Sequence, residues 1–145
     1  TSVRFIDRSL AIFRLYLSLR HIYKDRLHFW TKPMLNTDTY DHFPTPLPDA
    51  HYTIDATSHF FVEYFDSAVS VGIHGRRISA LVYYDESGDW NYKAAAFPVV
   101  IILCDTETMR VKAEKRVRYL LRDSDSELRF IVVTPNTMNA DIRTD

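Results

Sequence analysis

The sequence predicts a single α/β domain built on a mixed sheet, with elements in the order αβββαβ followed by a C-terminal αβ. Three observations carry that reading. Apolar residues recur at helical spacing in three separate segments. Two runs rich in β-branched and aromatic residues, 51–55 and 59–66, flank the short polar stretch Ala56-Thr57-Ser58, which is the pattern of a β-hairpin. A continuous apolar run, 97–104, has the length of a strand and the character of one covered on both faces. Strands joined through helices, together with a hairpin, give a mixed sheet with helices on both faces.

Taken in order, residues 7–24 predict an amphipathic helix. Ile6, Leu10, Phe13 and Leu17 form its expected core-facing stripe, with Arg8, Arg14, Arg20 and Lys24 interspersed. Residues 26–31 set Leu27 and Phe29 against polar neighbours, and Pro33 stops further pairing, so a short strand is expected. Residues 34–48 hold Pro44, Pro46 and Pro48 with Asn36, Asp38 and Asp41, which is turn chemistry. In the second hairpin strand Phe61, Glu63 and Phe65 point one way, and Val62, Tyr64 and Asp66 the other. Glu63 therefore stands in an apolar row. A carboxylate there needs a cation, a hydrogen-bond donor or a metal, because leaving it buried and unpaired is costly.

Residues 67–84 predict a helix with Ile73, Ile78, Leu81 and Val82 on its apolar face and Asp66 or Ser67 as cap. Gly72 and Gly75 each cost about 1 kcal/mol relative to alanine inside a helix, so regular helix is expected only from Arg76 onward. Residues 85–93, with Gly88 and Trp90, form a connection to the apolar strand. Asp105-Thr106 offers an N-cap for a helix over 107–122. Met109, Ala113, Val117, Leu120 and Leu121 face inward there, while Lys112, Lys115, Arg116, Arg118 and Arg122 make the other surface basic. Residues 123–126 turn, residues 128–133 form a last strand, and Pro135 and Asn136 close it.

Composition narrows the function classes. At 145 residues the chain, 1–145, is the size of one domain, and 46% hydrophobic content with 14% aromatics excludes general disorder. No apolar run approaches a membrane span, so a soluble, cytoplasmic protein with no membrane partner is expected. A formal net charge of −1 gives no global case for nucleic acid, and any such case rests on local patches. The single cysteine, Cys104, excludes intrachain disulfides and cysteine-based zinc sites and reads as a core thiol. His42, His51, His59 and His74 lack the compact pairing of a zinc site and read as surface or hydrogen-bonded core residues. Three glycines do not make a phosphate-cradling loop. Tyr83, Tyr84, Trp90 and Tyr92 could stack on bases, but packing of a helix end and loop is the simpler reading.

The order of elements, with Pro48-Asp49 leading one hairpin strand and Glu63-Tyr64-Phe65 in the next, resembles the PD-(D/E)xK restriction-endonuclease-like superfamily. The resemblance implies that Asp49 and Glu63 hold a divalent metal, usually magnesium, while a lysine two residues after the second acid helps activate water. Oxygen ligands suit such hard cations. That third position is Phe65, which supplies neither charge nor proton. Arg76 or Arg77 could deliver a cation to the same place. Arginine stays protonated and is a poor general base, but it can hold a phosphate. The alternative is that Asp49 caps a turn and Glu63 forms a structural ion pair with Arg76 or Arg77.

A broader resemblance runs from Asp7 to Val133. The segments D-R-S-L-A-I-F-R-L-Y-L-S-L-R-H, L-H-F-W-T-K-P, P-D-A-H-Y-T-I, H-F-F-V-E-Y-F-D-S, R-R-I-S-A-L-V-Y-Y-D-E-S-G-D-W and F-P-V-V-I-I-L-C look like the C-terminal domain of replication-relaxation proteins. That family occurs on plasmids and integrative elements and is implicated in plasmid replication and DNA relaxation. Its members commonly carry a winged helix-turn-helix ahead of this region, so the chain is expected to be the C-terminal part of a longer protein. The family usually has a polar residue where Phe65 stands and a lysine near Arg77, so this chain departs from it at the chemically important positions.

The resemblances imply a restriction-endonuclease-like domain that serves as a DNA-associated accessory part of a plasmid or mobile-element replication or mobilisation protein, with a degenerate active site. DNA contacts are expected at Arg76, Lys112, Lys115 and Arg116. The first alternative is a magnesium-dependent nuclease or nickase using Asp49, Glu63 and Arg77. The second is a protein-interaction or dimerisation module, as a homodimer or with another replication or mobilisation protein, in which the basic helix and loop aromatics meet the partner.

Overall fold

The computed structural model describes residues 3–35, 43–92 and 96–138. The elements run α1 (Val3–Tyr23), β1 (Leu27–Thr31), a single-turn α2 (Lys32–Leu35), β2 (Ala50–Ile54) and β3 (Ser58–Phe65). They continue with α3 (Val71–Ser87), β4 (Val99–Cys104), α4 (Glu107–Leu121) and β5 (Phe130–Val133), with 3-10 turns at Lys24–Arg26 and Asp89–Tyr92. This is an α/β fold on one five-stranded mixed sheet of order β1-β2-β3-β4-β5. The first three strands form an antiparallel meander, while β3, β4 and β5 are parallel neighbours. Parallel neighbours require long crossovers, which α3 and α4 supply.

The sheet separates two apolar layers. On one side Ile12, Leu15, Leu19 and Tyr23 of α1 pack with Tyr52, Phe60, Val62, Ile101 and Leu103. On the other, Ile78 and Leu81 of α3 and Met109, Ala113 and Val117 of α4 pack with Phe61, Phe65, Ile102 and Cys104. The six residues of β4 are all buried and alternate between the two layers, which is why its sequence is uninterrupted in hydrophobicity. Cys104 is a buried free thiol, and burial with Asp105 beside it pushes its pKa up to about 12.

Several expectations change. The predicted core stripe of α1, Ile6, Leu10, Phe13 and Leu17, is exposed, and the buried stripe is Ile12, Leu15, Leu19 and Tyr23. The helix carries two apolar repeats, and spacing alone does not say which one the sheet receives. α3 runs unbroken through Gly72 and Gly75, and its cap is Ser70, whose hydroxyl accepts from the Ile73 amide; Asp66 and Ser67 do not cap it. A Cβ on Gly75 would stand 3.2 Å from Cγ and Cδ of Arg116, so the glycine lets α4's arginine stem cross α3. Thr106 caps α4 as expected, accepting from the Met109 amide. Asn36, Asp38, Asp41 and His42 lie outside the described residues, as does the side chain of Tyr92.

Candidate functional site: a buried acid pair and its cations

Asp49 stands one residue before β2, and backbone pairing fixes it. Its amide donates to the Val62 carbonyl at 2.9 Å, and its own carbonyl accepts from the Lys32 amide at 3.2 Å. The sheet ladder thus extends one residue past the ends of β1 and β2 and aims the Asp49 carboxylate inward. There Oδ2 accepts a 2.8 Å hydrogen bond from the Tyr64 amide. Glu63 projects from the neighbouring strand into the layer shared with α3, between Phe61 and Phe65 in its row. Both acids are buried, Asp49 at 8% and Glu63 at 3% exposure.

Arg77, one turn past Ile73 on α3, reaches down to them. Its Nη2 donates to Glu63 Oε2 at 2.7 Å and to the Leu47 carbonyl at 2.9 Å, and lies 4.0 Å from Asp49 Oδ1. Lys32 places Nζ 3.8 Å from Asp49 Oδ1. Burial raises the Glu63 pKa to about 8, helped by the charge of Asp49 and opposed by Arg77 and Lys32. At Glu63, desolvation and the neighbouring acid therefore outweigh both cations.

A divalent metal held by Asp49 and Glu63 would have to displace the Arg77 guanidinium. A guanidinium already sits against Glu63 and near Asp49, and no cluster of three or more metal-ligating His, Cys, Asp or Glu side chains occurs among the described residues. Phe65, where the resemblance to the nuclease pattern would call for a lysine, is fully buried and stacked on His74, ring centroids 4.4 Å apart. His74 in turn donates Nε2–H to the Asp66 carbonyl at 2.8 Å. Nothing at position 65 can reach the acids as a cation.

A cavity of about 590 Å³ opens over the pair, with Arg4, Arg8, Arg76 and Arg77 in its wall. Arg4, at the start of α1, ties to Asp66 at 3.2 Å. The structure therefore brings together three of the residues singled out by sequence, Asp49, Glu63 and Arg77, and places Arg76 on the same cavity. Lys112 and Lys115 are exposed on α4, outside that wall, while the aliphatic stem of Arg116 lies across Gly75 beside Arg76. Trp90 and Tyr84 are core residues, Trp90 donating to the Ala96 carbonyl at 2.8 Å; Tyr83 is 76% exposed.

Lys32 is the site residue that sequence reasoning missed. It follows the strand 26–31 directly, but its approach to Asp49 depends on a register across the intervening loop that residue spacing does not reveal. A second missed feature is the pair His51 and His59. Their rings are parallel within 4° and joined by a 3.0 Å hydrogen bond, and burial holds the His59 pKa below its usual value. Comparison of the chain with protein-family models, with curated proteins and with solved structures finds no match in any of the three.

Proposed function

We propose that the domain is a DNA-associated accessory module of a plasmid or mobile-element replication or mobilisation protein, built on a restriction-endonuclease-like core whose acid pair is closed by an internal arginine. The observation that carries the reading is the position of Arg77. One guanidinium nitrogen bonds both Glu63 and the Leu47 carbonyl and faces Asp49, so Arg77 stands against the two acids that the resemblance would make metal ligands. The succession of α1, the β1-β2-β3 meander, α3 and β4, with α4 and β5 added, supports the core assignment. Association with DNA is supported by the cations around the cavity, Arg4, Arg8 and Arg76, and by Lys112, Lys115 and Arg116 on the neighbouring helix. Phosphate contacts of this kind bind without regard to sequence and weaken steeply with salt.

The test combines two assays on one preparation. Binding to duplex DNA is measured against salt for the parent protein and for Arg76→Ala with Arg116→Ala, and supercoiled plasmid is incubated with magnesium or manganese. The expected result is salt-steep binding, weakened alike on unrelated sequences by the double variant, with no nicking. Metal-dependent nicking that disappears in Glu63→Gln would overturn the closed-site reading in favour of the magnesium nuclease. Absence of DNA binding at low salt would remove the DNA association itself.

A further inference from the structure

We propose that the solvent-facing side of α1 is the surface on which a second copy of this chain docks, forming an antiparallel pair of helices across a two-fold axis. This inference is independent of the acid site. α1 already buries one apolar stripe on the sheet, and a surface helix needs only one. Yet Val3, Ile6, Leu10, Phe13 and Leu17 form another on the opposite side, and they are 72%, 46%, 47%, 55% and 48% exposed. Scattered apolar residues on a surface are ordinary, whereas a contiguous stripe marks a contact.

The spacing identifies the kind of contact. Successive steps of three, four, three and four residues are the seam of a two-stranded coiled coil, in which apolar side chains of one helix seat between those of another. The seam spans about 21 Å at the usual helical rise. It stops where the next two seam positions become Arg20 and Lys24. The partner is therefore expected to present an apolar helix of similar length.

Charge selects a second copy as that helix. Asp7 and Arg14 are both exposed, and each follows a seam residue, Ile6 and Phe13, by one position, so they flank the seam on the same side. In an antiparallel pair related by a two-fold axis this flank faces its own counterpart. Asp7 of each copy then meets Arg14 of the other, and the contact is made twice. In a parallel pair the same flank would face the side carrying Ser9 and Tyr16, where no charge answers it. The exposed stripe and its flanks would bury on the order of 1,000 Å² in total, about the lower bound for a specific interface. Because each helix is already ordered on its own sheet, docking carries little ordering cost.

The experiment is sedimentation equilibrium of the chain and four variants. At about 100 μM, well above a dissociation constant of micromolar order, the parent chain is expected to be a dimer. Leu10→Glu with Phe13→Glu should be monomeric with an unchanged circular-dichroism spectrum, since both residues are exposed. Asp7→Arg and Arg14→Asp should each weaken the dimer about tenfold, and the chain carrying both exchanges should regain it. A monomeric parent at that concentration, meaning that another protein or another segment covers the stripe, overturns the proposal. So does a dimer indifferent to the two glutamates, or an exchange of both charges that fails to restore what each alone removes.

Discussion

Arg77 and Glu63 meet at 2.7 Å between β3 and α3, and Arg26 and Asp55 meet at the same distance at the tip of the β2–β3 hairpin. The side chains at the tip are 57% and 52% exposed, whereas the side chains of Glu63 and Arg77 are 4% and 26% exposed. The carboxylates respond in opposite directions. Hydrogen bonds from Arg26 hold Asp55 below the usual carboxylate range, while burial drives Glu63 above it despite its arginine. Contact distance alone therefore says little about an ion pair. What decides is how much water each charge gave up, because the interior attraction must first offset the desolvation of both partners.

The largest expected effect comes from unpairing the buried site. Above about pH 8, where Glu63 is ionised, Arg77→Met should cost about 3 kcal/mol in urea unfolding, because it leaves two buried acids with Lys32 as their nearest remaining cation; adding Glu63→Leu should recover most of the loss. If Arg77→Met were tolerated without cost, burial would not distinguish the two pairs.

The second effect is a pH slope. The Glu63 pKa is raised in the folded state, from 4.5 to about 8, so folding holds its proton more tightly than the unfolded chain does. Its contribution to stability is fully present below the unfolded value and is lost as pH rises through the folded one. Tm should fall from about pH 5 to about pH 8 in the parent protein and stay flatter in Glu63→Gln; equal slopes would contradict the raised pKa of Glu63.

At the hairpin tip the backbone should matter more than the charge. Ala56 sits at φ 61°, in the left-handed region that penalises a Cβ, so Ala56→Gly should raise stability by about 1 kcal/mol in urea. Smallest of all, Asp55→Asn keeps a residue that tolerates φ 57° and removes the exposed charge. Its Tm at neutral pH should match the parent's within the error of the melt.

The same contrast between local and distant determinants explains which parts of the molecule were legible in the sequence. The hairpin, β4 and the cap of α4 are written in neighbouring residues, and each stands within a residue or two of its expected place. Glu63 could be singled out because strand alternation put it in line with Phe61 and Phe65, and Arg77 because a helix follows that strand. The facing of α1 could not be read, since two stripes share one helix and only the sheet chooses between them. The glycine at position 75 is matched to Arg116, some forty residues away, whose stem lies against it. Lys32 and the His51–His59 pair likewise arise from register between strands, which individual residue patterns do not encode.

Cys104 gives the sheet a built-in clock. It ends the strand that touches both apolar layers, pairs in register with Phe65 and is the chain's sole thiol. Sealed from solvent and held far toward its protonated form, it can react with an alkylating reagent only when β4 comes apart from its neighbours. The labelling rate of this one sulfur atom therefore counts the openings of the central sheet, and does so without any added probe.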